Sequence, residues 1–272
     1  IGDMELWTPD KNSHKGQNGK VMIIGGSQLF HAASLWALEI ASYLCDMVFY
    51  SSVKENNEIV QKLKTKWRNG IVVPRADLEN YINEADVILL GPGMERGEQT
   101  KLLTHNLLTK HKDKKWVIDA GALQELELED IPVNAILTPH HTEWKQLWDK
   151  FQIQNSKIQI NSKIPNSKFQ INNFISKYSC TILLKGSEDL VCDRDQCISI
   201  SGGNPGMTKG GTGDVLAGLV AGLYCKNDAF TAAVTASRLN KKAGENLWKK
   251  YGYMYNASDL MEEVRRIYKK LK

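Results

Sequence analysis

The sequence predicts an α/β fold with a mostly parallel central β-sheet and helices on both of its faces. Short apolar runs rich in β-branched residues alternate along the chain with longer segments of helical periodicity. Parallel strands need crossover connections, so this alternation favours a sheet that helices cover on each side. A chain of 272 residues with 42% hydrophobic content can also bury one large core. We therefore expect residues 1–272 to form a single domain.

The predicted strands are short and consist largely of Val, Ile and Leu. Uninterrupted apolar runs that end at glycine or polar residues are typical of strands buried on both faces. In chain order they are residues 21–25, 47–51, 87–90, 116–119, 135–138 and 181–184. Between them, helical periodicity predicts helices over residues 33–44, 99–111 and 142–151. From Thr212 onward the pattern is almost entirely helical, with helices over residues 230–248 and 258–271.

Residues 152–172 form a segment of low complexity before the last predicted strand. The tripeptide Asn-Ser-Lys begins at Asn155, again at Asn161 and again at Asn166. These repeats are too short to build a solenoid. We interpret the segment as a surface loop or an irregular helical connection, and a binding arm is the alternative.

The charge pattern argues against a nucleic-acid-binding protein, and the lengths of the apolar runs argue against a membrane protein. The formal net charge is +4, and the lysines are scattered among acidic residues without forming a basic stripe with interleaved aromatic residues. No apolar run approaches the ~20 residues that span a bilayer, and the N-terminus does not resemble a signal peptide. We therefore expect a cytoplasmic protein without nucleic-acid or membrane partners.

Five cysteines at irregular spacing do not form a disulfide framework. Cys45, Cys180 and Cys225 are expected to be small buried apolar groups. Cys192 and Cys197 enclose a predicted hairpin turn, so they are expected to face each other across two strands. In a reducing cytosol we expect both to be thiols.

The glycine-rich turn before residue 214 carries the strongest functional signal. Gly210, Gly211 and Gly213 lead into an apolar helix of small residues. We expect these glycines to allow positive φ and a close approach of the backbone to a ligand. The N-terminus of the following helix would attract an anion. The turn therefore predicts a phosphate site.

Asp214 lies in the same turn, next to Thr212 and Gly213. A carboxylate repels phosphate, so its position there needs another explanation. As a general base it would remove the proton of an acceptor hydroxyl, while the glycine amides stabilise the transferred phosphoryl group. The alternative is an ordinary capped helix that follows a flexible loop.

Six separated motifs resemble those of the ADP/ATP-dependent NAD(P)H-hydrate dehydratases, a branch of the ribokinase-like kinases. The resemblance extends from residue 13 to residue 222 and covers nearly the whole chain. In the family's order the motifs are Ser13-His14-Lys15-Gly16 with Gly25-Gly26-Ser27, Gly91-Pro92-Gly93-Met94, Val117-Ile118-Asp119-Ala120, Leu137-Thr138-Pro139-His140 with Glu143, Leu183-Leu184-Lys185-Gly186, and Asn204 through Gly211-Thr212-Gly213-Asp214.

The resemblance implies a ribokinase-like fold and the repair of hydrated NADH or NADPH, abbreviated NAD(P)HX. The family phosphorylates the ring hydroxyl and then eliminates phosphate. ADP or ATP would be the donor, with Mg²⁺ bridging its phosphates; the sequence does not identify the metal ligands. The resemblance also implies a homo-oligomer, and the N-terminal epimerase domain that some relatives carry is expected to be absent.

Site residues follow from the same resemblance, position by position. Asp214 would be the catalytic base and would also contact the substrate. The other substrate-binding residues would be Ala33, Gly93 and His140. The nucleotide-binding residues would be Lys185, Gly186, Ser187, Glu188, Asp189, Gly210, Gly211, Thr212 and Gly213.

The chain departs from the family pattern at several positions of the predicted site. The family usually has a second carboxylate where Gly121 stands, a glycine where Glu95 stands, and Tyr with a following glycine near Phe30 and Ala32. Two other functions remain open at this point. A kinase of a small vitamin-precursor alcohol would keep Asp214 but lack the Thr138-Pro139-His140 motif. A non-catalytic nucleotide-binding protein would explain the departures but leave the Asp214 cluster without a purpose.

Overall fold

The structure, a computed structural model, describes residues 6–155 and 167–268. Within these residues nine strands form one sheet, in the order β3-β2-β1-β4-β5-β6-β7-β8-β9. The strands are β1 Lys20–Ile24, β2 Met47–Ser51, β3 Ile71–Val72, β4 Val87–Leu90, β5 Lys115–Ile118, β6 Ile136–Leu137, β7 Thr181–Leu184, β8 Asp189–Cys192 and β9 Cys197–Ile200. The helices are α1 Ala32–Ser42, α2 Lys54–Leu63, α3 Leu78–Glu84, α4 Glu98–Lys110, α5 Ala120–Gln124, α6 His141–Gln154, α7 Ser167–Tyr178, α8 Thr212–Tyr224, α9 Ala229–Tyr251 and α10 Ala257–Tyr268.

Strands β1 to β7 are parallel, and β8 and β9 extend the sheet as an antiparallel edge. The chain runs outward from β1 through β2 to β3 and then returns to the other side of β1 as β4. This reversal opens a crevice beyond the carboxyl ends of β1 and β4, the place where α/β sheets bind ligands. The predicted mostly parallel sheet is confirmed.

Each central strand contributes side chains to two hydrophobic cores, one on each face of the sheet. In β1, Val21 and Ile23 pack into one core, whereas Met22 and Ile24 pack into the other. The first core includes buried residues of α1, α8, α9 and α10, and the second includes residues of α3, α4, α6 and α7. Burial on both faces explains why the strands read as continuous apolar runs.

Helices α1 and α8 pack closely and run in the same direction. A Cβ atom at Gly218 would lie 2.5 Å from the carbonyl oxygen of Ala37, and one at Gly222 would lie 2.6 Å from a methyl group of Leu44. Because the later glycine of α8 contacts the later residue of the α1 segment, the two helices run parallel to each other. The N-terminal turns of α1 and α8 therefore lie side by side, which places Ala33 near the turn that carries Asp214.

Several details differ from the sequence predictions. Residues 152–154 belong to α6 and residues 167–172 to α7, so the predicted low-complexity loop is shorter than expected; residues 156–166 lie outside the described residues. Cys192 and Cys197 are directly opposed in β8 and β9, with Cα atoms 4.1 Å apart, and form a disulfide, so the prediction of two thiols is wrong.

None of the described helices combines the length with the apolarity that a bilayer crossing demands.

Candidate active site

Five motif segments that directly follow strands meet at the carboxyl edge of the sheet. Gly25 follows β1, Gly91 follows β4, Asp119 follows β5, Thr138 follows β6 and Lys185 follows β7. Parallel strands bring these positions together because all of them end at the same edge. The opening motif at residues 13–16 is different: it precedes β1, and its Gly16 amide donates to the carboxylate of Asp46, away from this edge.

Lys185 and Asp119 form a buried ion pair at the centre of this edge. The Nζ atom of Lys185 lies 2.7 Å from Oδ1 of Asp119, and the Thr138 hydroxyl donates to the same oxygen over 2.7 Å. Asp119 is 2% exposed, so both contacts satisfy a carboxylate that has almost no access to water. Burial lowers the pKa of Lys185, but the charges of Asp119 and Glu143 outweigh it and hold the pKa above its ordinary value. Lys185 is therefore a fixed positive charge.

The glycine-rich turn places the N-terminus of α8 beside Lys185. Gly211 caps α8 with φ of 95°, and a Cβ atom there would lie 2.4 Å from the ring of Trp36. Gly210 and Gly213 do not have positive φ, so that part of the prediction is wrong. Gly213 instead keeps space open, because a Cβ atom there would meet only Lys185 Nζ, at 3.8 Å. The first-turn N–H groups of a helix lack intrahelical acceptors, so this space suits an anion.

The Thr212 hydroxyl contributes to the shape of the turn. It donates to the carbonyl oxygens of Met207 and Lys209. Asn204 holds the start of the same turn, since its carboxamide oxygen accepts from the Gly206 amide and from the Tyr255 hydroxyl. The turn is thus fixed in shape by the protein itself.

Asp214 is the titratable group of this turn. Burial raises the pKa of Asp214 to about 7, and the charge of Asp119 acts in the same direction while Lys185 opposes it. A general base works best when its pKa lies near the operating pH. Asp214 therefore has the proton affinity that removal of a proton from an alcohol requires.

A cavity of about 550 Å³ lies between Lys185 and the glycine-rich turn. Its volume suits a nucleotide-sized ligand. Among the residues predicted to bind nucleotide, its lining includes Lys185, Gly186, Ser187, Asp189, Thr212 and Gly213. His140, predicted to contact the substrate, also lines it.

The loop from Lys185 to Asp189 is held rigidly by buried polar groups. Asp189 is 4% exposed; its carboxylate accepts from the Gly186 amide and the Ser237 hydroxyl and pairs with Lys241 Nζ at 3.3 Å. Lys241 also donates to carbonyl oxygens of the loop, including that of Ser187. Asp189 and Lys241 thus shape the loop that borders the cavity.

His140 has a structural contact as well as a position on the cavity. It is the N-cap of α6, where its Nδ1 atom accepts from the Glu143 amide and its own amide donates to the Glu143 carboxylate. This reciprocal pair is a capping box. The ring is half-exposed, so it can contact a ligand in the cavity while it caps the helix.

Ala33 and Gly93, also predicted to bind substrate, lie in contact beside the first glycine turn. A Cβ atom at Gly93 would lie 2.9 Å from the Ala33 Cβ atom and 3.3 Å from the Cα atom of Gly26. Gly93 has φ of 72°, a conformation that favours glycine. Ala33 and Gly93 therefore lie next to the N-terminus of α8, since α1 and α8 pack in parallel.

The departure at Gly121 has a local structural reason. A Cβ atom there would lie 2.2 Å from the carbonyl oxygen of Met94, so this backbone admits no side chain at that position. In place of the carboxylate that the family pattern has there, the first turn of α5 closely approaches the loop that contains Met94. Glu95 is exposed, and its carboxylate accepts from the Leu29 amide.

Asn240 and Lys241 are buried residues of the cavity wall that the sequence analysis missed. They lie in α9 and are each 5% exposed. The side-chain oxygen of Asn240 is buried and has no hydrogen-bond partner within the described part of the chain. Both residues fall in an otherwise ordinary amphipathic helix, so no local sequence signal distinguishes them.

The described residues contain no cluster of three His, Cys, Asp or Glu side chains able to hold a metal by themselves. Of the carboxylates around the site, Asp119 is paired with Lys185, Asp189 is paired with Lys241, and Glu143 caps the start of α6, whereas Asp214 has no such partner among the described residues. Such a sparse donor set fits Mg²⁺ bound mainly by nucleotide phosphates, which needs only one or two protein carboxylates.

Comparisons with known proteins agree with the motifs. A family model described as NAD(P)H-hydrate dehydratase matches residues 21–266. The chain is 34% identical over 280 residues to the bifunctional NAD(P)H-hydrate repair enzyme Nnr of Methanocaldococcus jannaschii, covering 98% of this chain and 52% of that protein. It is 32% identical over 273 residues to the ADP-dependent (S)-NAD(P)H-hydrate dehydratase of Nitrosopumilus maritimus, covering 94% of this chain and 91% of that protein. The chain thus spans about half the length of the first relative.

A solved structure shares the fold over nearly the whole chain. It is the ADP/ATP-dependent NAD(P)H-hydrate dehydratase from Bacillus subtilis, co-crystallized with ATP and Mg²⁺, which matches with a TM-score of 0.78 at 21% identity. The match covers 98% of this chain and 95% of the Bacillus chain.

Proposed function

The chain belongs to the NAD(P)H-hydrate dehydratase family, and from this premise we propose that it dehydrates NAD(P)HX at the expense of ADP or ATP. The proposal is supported by the names of the relatives, one of which is an ADP-dependent (S)-NAD(P)H-hydrate dehydratase. The observation that carries it in this chain is the position of Asp214, in the first turn of α8 and beside the fixed charge of Lys185. A small-alcohol kinase is not favoured, because the family match extends over residues 21–266.

The first step is phosphorylation of the ring hydroxyl of the hydrated nicotinamide. The Asp214 carboxylate accepts the hydroxyl proton, the hydroxyl oxygen bonds to the terminal phosphorus of the donor, and the bond from that phosphorus to the leaving nucleotide oxygen breaks. Lys185 and the first-turn amides around Gly213 stabilise the negative charge of the transferred group. AMP leaves when ADP is the donor, and ADP leaves when ATP is the donor.

The second step is elimination of phosphate from the ring. The carbon–oxygen bond breaks with its electron pair passing to the phosphate. The neighbouring ring carbon gives up a proton, which leaves with the phosphate or passes to water, and the electron pair of that carbon–hydrogen bond forms the double bond. The products are inorganic phosphate and the dihydronicotinamide. Phosphate is a much better leaving group than hydroxide, which is why a nucleotide is consumed.

Mg²⁺ would be held mainly by the donor phosphates, with Asp214 as the available carboxylate of the site, and would shield phosphate charge. The ligand contacts proposed for Ala33, Gly93 and His140 place the hydrated ring beside Asp214. Those proposed for Lys185, Gly186 and Ser187 place the donor in the 550 Å³ cavity, which these residues line.

The direct test is incubation with chemically prepared NAD(P)HX plus ADP or ATP. The expected result is restoration of dihydronicotinamide absorbance with release of one phosphate for each molecule repaired. Absence of repair with both donors, in a folded protein that binds nucleotide, would contradict the proposal. A cytoplasmic location, expected from the sequence, and a homo-oligomeric state, implied by the family resemblance, remain proposals, to be tested by cell fractionation and light scattering.

A further inference from the structure

A second cavity, of about 300 Å³, lies beside the first glycine turn and is not used by the proposed chemistry. Its lining includes Gly26, Arg75, Met94, Glu95, Gln99 and Thr100. Gly26 is the residue whose Cα atom lies 3.3 Å from the Cβ position of Gly93. The cavity therefore adjoins the Ala33 and Gly93 pair to which the substrate is assigned.

Arg75 gives this cavity a positive charge without a counter-ion. Within residues 6–155 and 167–268, no carboxylate lies within 4.0 Å of its guanidinium. Its Nη1 atom is buried and has no hydrogen-bond partner among the described residues. Burial lowers the pKa of Arg75 to about 10, so the side chain stays charged at neutral pH. A charged group whose Nη1 atom is buried without a partner destabilises the free protein, which is common for groups that bind ligands.

The N-terminus of α4 contributes to the same cavity. Gln99 and Thr100 lie in the first turn of this 13-residue helix, whose N–H groups have no intrahelical acceptors. A helix of this length presents a partial positive charge at its start. The cavity thus combines a guanidinium with a helix N-terminus, and both favour an anion.

Three carboxylates oppose this preference. Glu98 lies in the first turn of α4, Glu125 accepts from the Gly97 amide over 3.0 Å, and Glu95 lines the cavity itself. The Oε1 atom of Glu95 accepts from the Leu29 amide at 3.3 Å, and Glu95 forms no ion pair with Arg75. Glu95 is exposed, so its charge is more strongly screened than a buried one. It weakens the attraction for an anion without neutralising Arg75.

We propose that this cavity is an anion subsite, in which Arg75 and the N-terminus of α4 bind a phosphate group of the dinucleotide substrate. The inference rests on the proposed function for the identity of that substrate. A dinucleotide carries two kinds of phosphate. NADHX and NADPHX share the pyrophosphate, whereas the 2′-phosphate is present in NADPHX alone.

The test compares the binding of NADPH and NADH, the repaired products, by isothermal titration calorimetry. Arg75→Gln removes the guanidinium, and Arg68→Gln is the matched control, since it makes the same charge change at an exposed residue. Loss of a charged hydrogen-bonding group predicts about 10- to 100-fold weaker binding for Arg75→Gln. The control should bind as the wild type does.

The pattern of loss identifies the phosphate. A loss confined to NADPH supports binding of the 2′-phosphate, and equal losses for NADPH and NADH support binding of the pyrophosphate. Unchanged affinity for both, or no binding of either by the wild type, overturns the inference. Because the readout is binding, failure of the repair assay with intact Arg75-dependent binding would count against the proposed function alone.

Glu95→Gln is an independent variant that should change the affinity in the opposite direction. It keeps an acceptor for the Leu29 amide but removes the negative charge, so binding should become a few-fold tighter. Tighter binding supports the subsite, and weaker binding overturns it. Thermal unfolding should show Arg75→Gln to be at least as stable as the wild type, because the substitution removes a buried charge that has no partner.

Discussion

The Nζ atom of Lys185 donates a hydrogen bond to Oδ1 of Asp119 over 2.7 Å, where strands β7 and β5 end at the same edge of the sheet. These residues are 66 positions apart in the chain, and Lys185 also faces the open space above Gly213. One charge is thus fixed by a buried carboxylate at the place where a phosphoryl group would pass. The fold itself fixes this geometry, through the hydrogen bond between the two side chains.

Replacement of Lys185 by Met is expected to destabilise the protein and to weaken ADP binding. Asp119 would keep its buried charge but lose its cation, and breaking a buried pair typically costs about 3–5 kcal/mol. Chemical denaturation and calorimetry measure the two effects. The control is Lys145→Met, since Lys145 forms a 2.6 Å pair with Asp149 but is 74% exposed, and such pairs contribute at most about 1 kcal/mol. Equal stability of the two variants would contradict the role of the Lys185 pair.

Asp214→Asn is expected to bind nucleotide as the wild type does and to lose turnover. The substitution removes the base but leaves Lys185 and the first turn of α8 in place. Loss of a general base typically lowers the rate by about 10² to 10⁴-fold. Steady-state repair assays together with calorimetry for ADP measure both quantities. Turnover within a few-fold of the wild type would remove Asp214 from the mechanism.

The activity of the wild type should rise with pH through about 7, because only the ionised form of Asp214 accepts a proton. Its folding stability should change in the opposite direction. The pKa of this carboxyl is raised from 3.8 in the unfolded chain to about 7 in the folded protein. The folded state therefore binds the proton more tightly, and its stability falls as pH rises from about 4 to about 7.

The stability of Asp214→Asn provides a second test of this raised pKa. The variant should gain on the order of 2 to 4 kcal/mol over the wild type at pH 8 and nothing comparable at pH 4. Urea denaturation at the two pH values measures the difference. A gain that is the same at both would show that the pKa of Asp214 is not raised.

Two substitutions of His140 separate its contact with ligand from its capping of α6. His140→Asn keeps a side-chain acceptor at the N-cap, whereas His140→Ala removes both the ring and the cap. Both should raise the KM for NAD(P)HX by about 5- to 150-fold, the loss expected for one hydrogen bond of about 1–3 kcal/mol. Only the Ala variant should lose stability, by about 1 kcal/mol. If the Asn variant retains the wild-type KM, the ring does not contact the substrate.

The two glycines at the start of α8 should respond differently to substitution. Gly213→Val should fold, since its surroundings are open and its φ is not positive, but the side chain should obstruct the phosphate and weaken ADP binding. Gly211→Ala should instead destabilise the protein, because φ is 95° and the Cβ atom would lie 2.4 Å from the Trp36 ring. Thermal unfolding and calorimetry distinguish the two outcomes. Normal ADP affinity in Gly213→Val would place the phosphates elsewhere.

Strands with continuous apolar sequence were predicted to within one or two residues. The predicted ranges 47–51, 87–90 and 181–184 coincide with β2, β4 and β7. The strand β3 was not predicted because it is only two residues long, and the helices α2 and α3 were not predicted because they contain few apolar residues. The pairing of β8 with β9 follows from the turn between Cys192 and Cys197, but the disulfide depends on their direct opposition in the register.

The sequence by itself determined the α/β class, the parallel sheet and the chemistry of the turn at Asp214. These properties are encoded locally, in the spacing of apolar residues and in the residue types of one turn. Only the tertiary structure decided which distant groups act on that turn. The charge of Asp119 raises the pKa of Asp214 because strand order brings the two residues to the same edge of the sheet. Helix packing at that edge also places Arg75 in a second cavity, where it forms no ion pair with the described residues. Charge interactions and burial depend on distance in space, and separation along the chain does not specify that distance.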